Sequence, residues 1–504
     1  MKAISCILLA LVILLAACGQ TELPPEADLL ETEVAAEYPP ELEEESKPDA
    51  LRQPSGAVAI SAACEHTLAL MEDGSLWGWG IGPIGDGTTE SRSLPVMIME
   101  DVAFAVAGHY HSFAITTDGA LWAWGGNGFG QLGDGTTETR LSPVRIMDDV
   151  VYVAMPTDVP NSHASNGGYR SYAIRSDGTL WAWGLSGRFD AADVALGDGA
   201  TEPRYSPVQI LENVVDVVPT NSGGLALTGD GVVYRWNGPW WHADNTQLYP
   251  APILENVASI SHCAWFAITT GGELWTLGLE PTWTAFVNTV AMPEPAWVMD
   301  DVVYAAAARG VGFAITTDNV LWAWGRNRIP SQWWPAPNLG DGTGVDRDEP
   351  VAILEDVVSI TVMGNTAYVI TNDGTLWGWG NAGGALIGDG STFSLGDAKR
   401  HMWEQVFDEE RMEEVVRWLL DDDGGTEIAL SPVKILENVV AVAPAYFVLD
   451  HGWINGFRTF ALTESGAVYA WGVNSVWLGL EDYAVLGDGT TEPRPYPVRI
   501  IEAS

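Results

Sequence analysis

Polar residues that could do chemistry are scattered through this 504-residue chain, and few of them are spaced like a known reactive site. The recurring Gly-Asp-Gly motif, as at residues 133–135, lacks the alternating carboxylates of a calcium loop and the Gly-Lys-Ser/Thr of a phosphate-binding loop. The eight histidines show no zinc spacing, since His109 and His111 stand two apart at a predicted turn. We therefore predict a protein that is not an enzyme and that holds no metal or cofactor.

Large aromatic and basic side chains are better suited to recognition than to catalysis. Trp, Tyr and Arg dominate protein interfaces, and tryptophans also serve as stacking platforms for sugars. Many such residues stand in irregular segments of this otherwise acidic chain. The alternative is that the loop tryptophans pack only their own insertions, and that the His and Tyr side chains cap turns. The candidate binding residues are His109, Tyr110, His111, Tyr169, Arg170, Trp240, Trp241, Trp265, Arg309, Trp333, Trp334, Trp453 and Arg458.

A repeated strand must position these residues. The segment Leu121–Gly125 reads Leu-Trp-Ala-Trp-Gly, follows a Thr-Asp-Gly turn, and has full or weaker copies in eight units. The unit around it contains four strand-like runs in about 45 residues, which is the size of one antiparallel propeller blade. Both sides of this strand are apolar, with the two tryptophans on one side and Leu121 and Ala123 on the other. Neighbouring sheets must therefore cover it.

A closed ring of such sheets buries every blade and leaves no long exposed edge. Tryptophans of one sheet would rest on small residues, such as Ala114, of the next. The sequence therefore predicts an all-β fold, a single β-propeller of eight or seven four-stranded antiparallel blades across residues 57–504.

The repeat resembles that of the regulator of chromosome condensation family. The resemblance is carried by His-Ser-Phe-Ala at 111–114, Asp-Gly at 118–119, Trp-Ala-Trp-Gly at 122–125 and Asn-x-x-Gly-Gln-Leu-Gly at 127–133. It extends over about residues 57–500 and implies a β-propeller, usually of seven blades. Exported bacterial relatives include a type II β-lactamase inhibitory protein that binds an enzyme through one propeller face. Eukaryotic members are guanine-nucleotide exchange factors for a nuclear GTPase.

Blade geometry sorts the loops onto two faces. The loops between first and second strands and between third and fourth strands share one face, called the first face below. Insertions concentrate there, whereas the opposite face carries uniform turns. The longest insertion, about 391–427, has helical spacing at 399–420 and predicts an amphipathic helix, either a lid over the first face or an independent binding helix. A scaffold with one elaborated face is typical of recognition through that face.

The N-terminus predicts export and lipidation. Residues 1–18 contain Lys2, an apolar run and Leu-Ala-Ala-Cys, which resembles a bacterial lipobox with Cys18 as the lipidated residue. The alternative is an ordinary cleaved signal peptide. Residues 19–55 are rich in Glu and Pro and predict a disordered acidic tether. We expect a membrane-anchored extracytoplasmic lipoprotein at a bacterial cell surface, which is a monomer.

Charge and cysteine placement limit the partners. The formal net charge of −44 argues against nucleic acid and against membrane contact other than through the lipid anchor. Cys64 and Cys263 fall in the first and fifth units, on opposite sides of the ring, so we expect two free thiols.

These observations favour a lipid-anchored, non-enzymatic module that binds an unknown protein through its first face. The alternative ligand is a carbohydrate or the cell wall, bound by the loop tryptophans. Guanine-nucleotide exchange is less favoured, because the chain has a lipobox and lacks a basic tail.

Overall fold

The computed structural model describes residues 54–156, 169–185, 196–220, 223–236, 248–261, 265–277, 295–308, 310–325, 327, 339–363, 366–381, 387, 428–448, 454–477 and 482–504. The segment Pro54–Ser504 forms one compact unit. Throughout the described ranges the secondary structure consists of β-strands and turns without an α-helix, and no helix there is long and apolar enough to cross a membrane. The helix predicted within 391–427 lies outside the described residues, as do the signal segment and the tether up to Gln53.

Eight sheets of four antiparallel strands follow one another along the chain, one for each sequence unit. The prediction of a β-propeller is confirmed, with eight blades rather than seven. Blade 1 contains β1 (Ala57–Ala62), β2 (His66–Met71), β3 (Leu76–Gly80) and β4 (Arg92–Met99). Blade 2 contains β5 (Val102–Ala107), β6 (His111–Thr116), β7 (Leu121–Gly125) and β8 (Arg140–Met147). Blade 3 contains β9 (Val150–Ala154), β10 (Arg170–Arg175), β11 (Leu180–Gly184) and β12 (Arg204–Leu211). Blade 4 contains β13 (Val214–Pro219), β14 (Gly224–Thr228), β15 (Val233–Trp236) and β16 (Ala251–Leu254).

The second half of the ring repeats this order. Blade 5 contains β17 (Val257–Ile260), β18 (Phe266–Thr269), β19 (Leu274–Thr276) and β20 (Ala296–Met299). Blade 6 contains β21 (Val302–Ala308), β22 (Val311–Thr316), β23 (Leu321–Gly325) and β24 (Arg347–Leu354). Blade 7 contains β25 (Val357–Met363), β26 (Thr366–Thr371), β27 (Leu376–Asn381) and β28 (Ile428–Leu436). Blade 8 contains β29 (Val439–Val448), β30 (Ile454–Thr463), β31 (Val468–Gly472) and β34 (Arg494–Ile501), with the hairpin β32 (Ser475–Trp477) and β33 (Asp482–Ala484) between its last two strands.

The ring closes between blade 8 and blade 1. The first strand β1 lies beside β29 and β30. The Gly56 amide donates to the Glu502 carbonyl at 3.1 Å, and the Ala57 amide donates to the Gly466 carbonyl at 2.9 Å. One apolar cluster contains side chains from both blades, among them Trp79. The two ends of the folded unit therefore stabilise each other.

The second tryptophan of the repeated strand fills the interface between blades. Trp124 of blade 2 packs against Leu68 of blade 1, and a Cβ atom on Gly85 of the blade 1 loop would lie only 2.8 Å from the Trp124 indole nitrogen. Ala114 shares this apolar cluster with Trp124 of its own blade, and its contact with a tryptophan of another blade stays a prediction. The small residue that supports the indole is a loop glycine of the preceding blade. The fully buried indoles belong to Trp79, Trp124, Trp183, Trp236, Trp379 and Trp471.

The Gly-Asp-Gly motif is structural. Asp134 accepts hydrogen bonds from the Thr136 amide and hydroxyl and from Arg140 Nε, the last at 2.6 Å. The Gly135 amide donates to the Tyr205 carbonyl in the outer strand of blade 3. The motif therefore holds its own loop and ties one blade to the next. Equivalent ion pairs are Asp86–Arg92, Asp198–Arg204, Asp341–Arg347 and Asp488–Arg494.

Candidate functional site

The first face includes the loops that lead into each second strand. In blade 2 the Gly108 amide donates to the His111 carbonyl at 2.9 Å, which closes a tight turn. This turn presents His109 and Tyr110 at the surface and directs His111 into the sheet. The corresponding position of blade 3 presents Tyr169 immediately before β10.

Four aromatic side chains meet on this face across blades 2 and 3. The ring centroids of His109 and Tyr110 are 4.0 Å apart. Tyr110 and Tyr169 are nearly parallel, with an interplanar angle of 9° and centroids 6.3 Å apart. Phe129 contacts Tyr169 at 4.2 Å. The structure thus brings together three of the predicted binding residues in one partly exposed patch, called the aromatic cluster below.

Phe129 is the member of the aromatic cluster that sequence reasoning missed. It stands in the loop that follows the repeated strand, where its amide donates to Gln131 Oε1 at 3.0 Å. The sequence could have indicated Phe129, because this residue lies in a loop between a third and a fourth strand, and such loops share the first face with Tyr110. Within the cluster, Tyr110 is the most accessible ring, with 36% of its surface exposed. Burial raises the pKa of the half-buried Tyr169, so this phenol stays protonated at neutral pH.

His111, Arg170 and Arg458 are buried between blades rather than exposed on the first face. His111 Nε2 lies 3.4 Å from Ser171 Oγ of the next blade. The Arg170 guanidinium donates to the Thr220 carbonyl of blade 4 at 3.3 Å. Arg458 donates to the Ala63 carbonyl of blade 1 at 2.6 Å. These side chains link neighbouring blades, and a role for them in binding stays a prediction.

Burial also fixes the charge of the histidines near the mouth of the ring. It lowers the pKa of His66 to about 3, with further lowering from the nearby charges of Arg458 and His109. The pKa of His111 falls to about 3 for the same main reason, and that of His109 to about 4. All three imidazoles are therefore neutral at pH 7. They act as hydrogen-bonding and stacking groups there, not as cations.

One contact has the composition of a nucleophile and its base. His66 Nε2 lies 2.5 Å from Ser112 Oγ, across the interface of blades 1 and 2. The Ser112 side chain has no exposed surface, so a substrate has no access to its hydroxyl. The pair is best understood as a link between blades. Among the described residues, no group of three or more His, Cys, Asp or Glu side chains is arranged to hold a metal ion.

The remaining predicted residues are placed as follows. Trp265 is half-buried and packs against the apolar cluster between blades 5 and 6. Cys64 is buried and Cys263 is outside the described residues, so the expectation of two free thiols stays a prediction. The candidates outside the described residues are Cys18, Trp240, Trp241, Arg309, Trp333, Trp334 and Trp453.

Comparisons with known proteins agree with the repeat. Profiles of the Regulator of chromosome condensation (RCC1) repeat match residues 102–131 and 118–158. The human E3 ubiquitin-protein ligase HERC2 is 27% identical over 365 residues, which cover 66% of this chain and 6% of HERC2. The RCC1 domain-containing protein RUG3 of Arabidopsis thaliana mitochondria is 32% identical over 302 residues, and Protein pim1 of Schizosaccharomyces pombe is 26% identical over 252. The matches cover 59% and 43% of this chain.

The chain therefore spans a small part of HERC2 and about half of RUG3 and pim1, of which it covers 50% and 46%. Among solved structures, Prp20p of Saccharomyces cerevisiae is 18% identical with a TM-score of 0.48, and 88% of this chain and 87% of Prp20p are covered. Human WBSCR16 is 16% identical with a TM-score of 0.44, and the coverage is 82% and 89%.

Proposed function

Because the chain belongs to the regulator of chromosome condensation repeat family, we propose that it is a non-enzymatic module that binds another protein through its first face. The observation that carries this proposal is the aromatic cluster. Tyr110, Tyr169 and Phe129 come from two blades and form one patch in which Tyr110 is exposed. Rigid aromatic side chains of this kind supply large contact area at a low entropic cost, and they dominate binding energy at protein interfaces.

The setting of the cluster supports recognition rather than packing. Tyr110 and Tyr169 stand directly before the buried strands β6 and β10, so the sheets hold their positions. The opposite face presents Asp-Gly turns, whose carboxylates bond to their own loops, as Asp118 does to the Thr116 hydroxyl. A preorganised aromatic patch on one face loses little conformational entropy when it binds a partner.

The proposal includes a lipid anchor at Cys18 and an extracytoplasmic location, which rest on the sequence Leu-Ala-Ala-Cys. Two or three acyl chains hold a protein firmly on a membrane, and a tether of 19–55 would leave the propeller free to meet a partner. Replacement Cys18→Ser should abolish globomycin-sensitive processing and release the protein from the membrane fraction. Unchanged fractionation would contradict the anchor.

The binding proposal is tested with Tyr110→Ala/Tyr169→Ala in the full chain. Partners of the wild type are first identified by crosslinking in intact cells, and the dissociation constant of the purified pair is then measured. Loss of the two rings should weaken binding about 30-fold or more, because even one interface hot spot costs at least about 2 kcal/mol. Tyr496→Ala is the matched control, since Tyr496 is comparably exposed but lies on the outer strand β34.

Equal affinities of the wild type and the double variant would refute the first face as the binding surface. A loss confined to retention on a glycan array would favour carbohydrate as the ligand. Acceleration of nucleotide release from a small GTPase by the wild type would favour exchange activity.

A further inference from the structure

The interface between blades 1 and 2 and the interface between blades 2 and 3 contain the same kind of side-chain contact at their first-face ends. The first residue of a second strand faces the next blade, and the residue after it faces the preceding blade. His66 Nε2 thus meets Ser112 Oγ at 2.5 Å, and His111 Nε2 meets Ser171 Oγ at 3.4 Å. These two positions form a bonded pair across each of the two interfaces.

The interface between blades 8 and 1, called the seam below, places different residues at the same two positions. Arg458 pairs with Gly472 in its sheet as His66 pairs with Gly80. Thr67 pairs with Trp79 in its sheet and so corresponds to the serines at this position. Repeat geometry therefore directs Arg458 and Thr67 towards each other across the seam.

Neither group is satisfied in the way that the His–Ser pairs are. One nitrogen of Arg458, Nη2, donates to the Ala63 carbonyl at 2.6 Å. Arg458 Nε and Thr67 Oγ1 are both buried, and neither has a hydrogen-bond partner. Both atoms can donate a hydrogen bond, and an acceptor shared between them would satisfy both.

The charge at the seam is buried and only partly compensated, by the nearby charges of Cys64 and Glu65. Arg458 is 3% exposed, and none of the ion pairs among the described residues includes it. Burial lowers its pKa to about 10, against the opposing charges of Cys64 and Glu65 nearby. A buried cation is costly unless an anion or several hydrogen bonds compensate it. The fold does not require a cation here, because Val311 occupies the same register position in blade 6 and is fully buried.

We propose that the seam between Arg458 and Thr67 binds a small oxyanion, which accepts hydrogen bonds from the guanidinium and the threonine hydroxyl. Charge-assisted hydrogen bonds of this type are about twice as strong as neutral ones. The ligand is a carboxylate or an inorganic phosphate or sulfate, since the oxygens of these anions accept hydrogen bonds from both donors. Glu65 lies near enough to act on Arg458 through its charge, and it weakens the binding of a second anion.

The test measures binding of sodium phosphate and of sodium acetate to the full chain by calorimetry, at constant ionic strength with chloride. The wild type should bind one of the two at one site. Arg458→Met should weaken that binding at least about tenfold, and Thr67→Val should weaken it less, because only the guanidinium carries charge. Arg145→Met is the control, since Arg145 lies on the outer strand β8 of blade 2 and pairs with the exposed Asp148.

Phosphate binding without acetate binding identifies a tetrahedral oxyanion, and acetate binding identifies a carboxylate. Absence of binding in the wild type, or equal affinities of the wild type and Arg458→Met, would overturn the proposal. If Arg458→Met does not fold, Glu65→Gln replaces it, and this variant should bind the anion more tightly because a repelling charge is gone. Unchanged affinity in both Glu65→Gln and Thr67→Val would then refute the site.

Discussion

Trp79 of blade 1 lies directly over Gly487 of blade 8, so that a Cβ atom on this glycine would come within 2.8 Å of the indole nitrogen. The same relationship joins Trp183 to Gly133 between blades 2 and 3. A loop glycine and the second tryptophan of the following blade thus meet within the ring and also at its closure. The contact requires glycine for two reasons. A Cβ atom would clash with the indole, and Gly487 has a φ of 90°, which favours glycine.

Gly487→Ala should therefore destabilise the propeller by about 2–4 kcal/mol, because it combines a left-handed backbone with a steric clash. Chemical denaturation of the full chain measures the change. Gly128→Ala is the control, since a Cβ atom there meets nothing within 4 Å. A loss below about 0.5 kcal/mol for Gly487→Ala would show that the seam tolerates separation of the two blades.

Trp124→Ala should cost about 3–5 kcal/mol of stability, because it removes a fully buried indole from the interface of blades 1 and 2. Trp297→Ala should change stability by no more than about 0.5 kcal/mol, because Trp297 is 54% exposed on the outer strand β20. Both values come from the same denaturation experiment. Similar losses of stability for the two variants would contradict the conclusion that Trp124 stabilises the interface between blades 1 and 2.

Stability should fall as the pH drops from about 6.5 towards 3, because His66 and His111 are buried in their neutral form. Their pKa values are lowered to about 3 in the folded protein, so between that value and the ordinary value of about 6.5 only the unfolded chain takes up protons. The stabilisation is complete above about pH 6.5, is lost progressively below it, and the loss levels off near the folded value of about 3. His66→Gln should reduce the slope in a series of unfolding curves from pH 7 to pH 4. An unchanged slope would mean that His66 is accessible to protons in the folded state.

Asp134→Asn should destabilise blade 2 by about 1–2 kcal/mol, because the loop loses charge-assisted bonds from Arg140 and Thr136. Burial raises the pKa of Asp134, but these hydrogen bonds outweigh it and lower the pKa overall. The exposed pair Arg145–Asp148 provides the comparison, and Asp148→Asn should cost well under 1 kcal/mol. Thermal unfolding at pH 7 measures both, and equal costs would contradict a structural role for the Gly-Asp-Gly motif.

The amino-acid sequence by itself determined the blade. Two tryptophans in alternation, a tight Asp-Gly turn and a fixed period decide strand spacing, side-chain direction and the need for neighbours, all of which are local properties. The β-propeller and the recognition candidates Tyr110 and Tyr169 follow from that pattern, whereas the choice of eight blades over seven came from the structure. The meeting of Phe129 with Tyr169 does not, because it joins two separate loops.

Only the tertiary structure decided which polar residues reach the surface. His111, Arg170 and Arg458 stand beside first-face loops in the sequence, yet ring closure places them between sheets. Arg458 contacts Ala63 across 395 positions of the chain, and no local pattern encodes such a contact. Burial is a property of the neighbours that cover a side chain, and in a closed ring the last blade supplies those neighbours to the first.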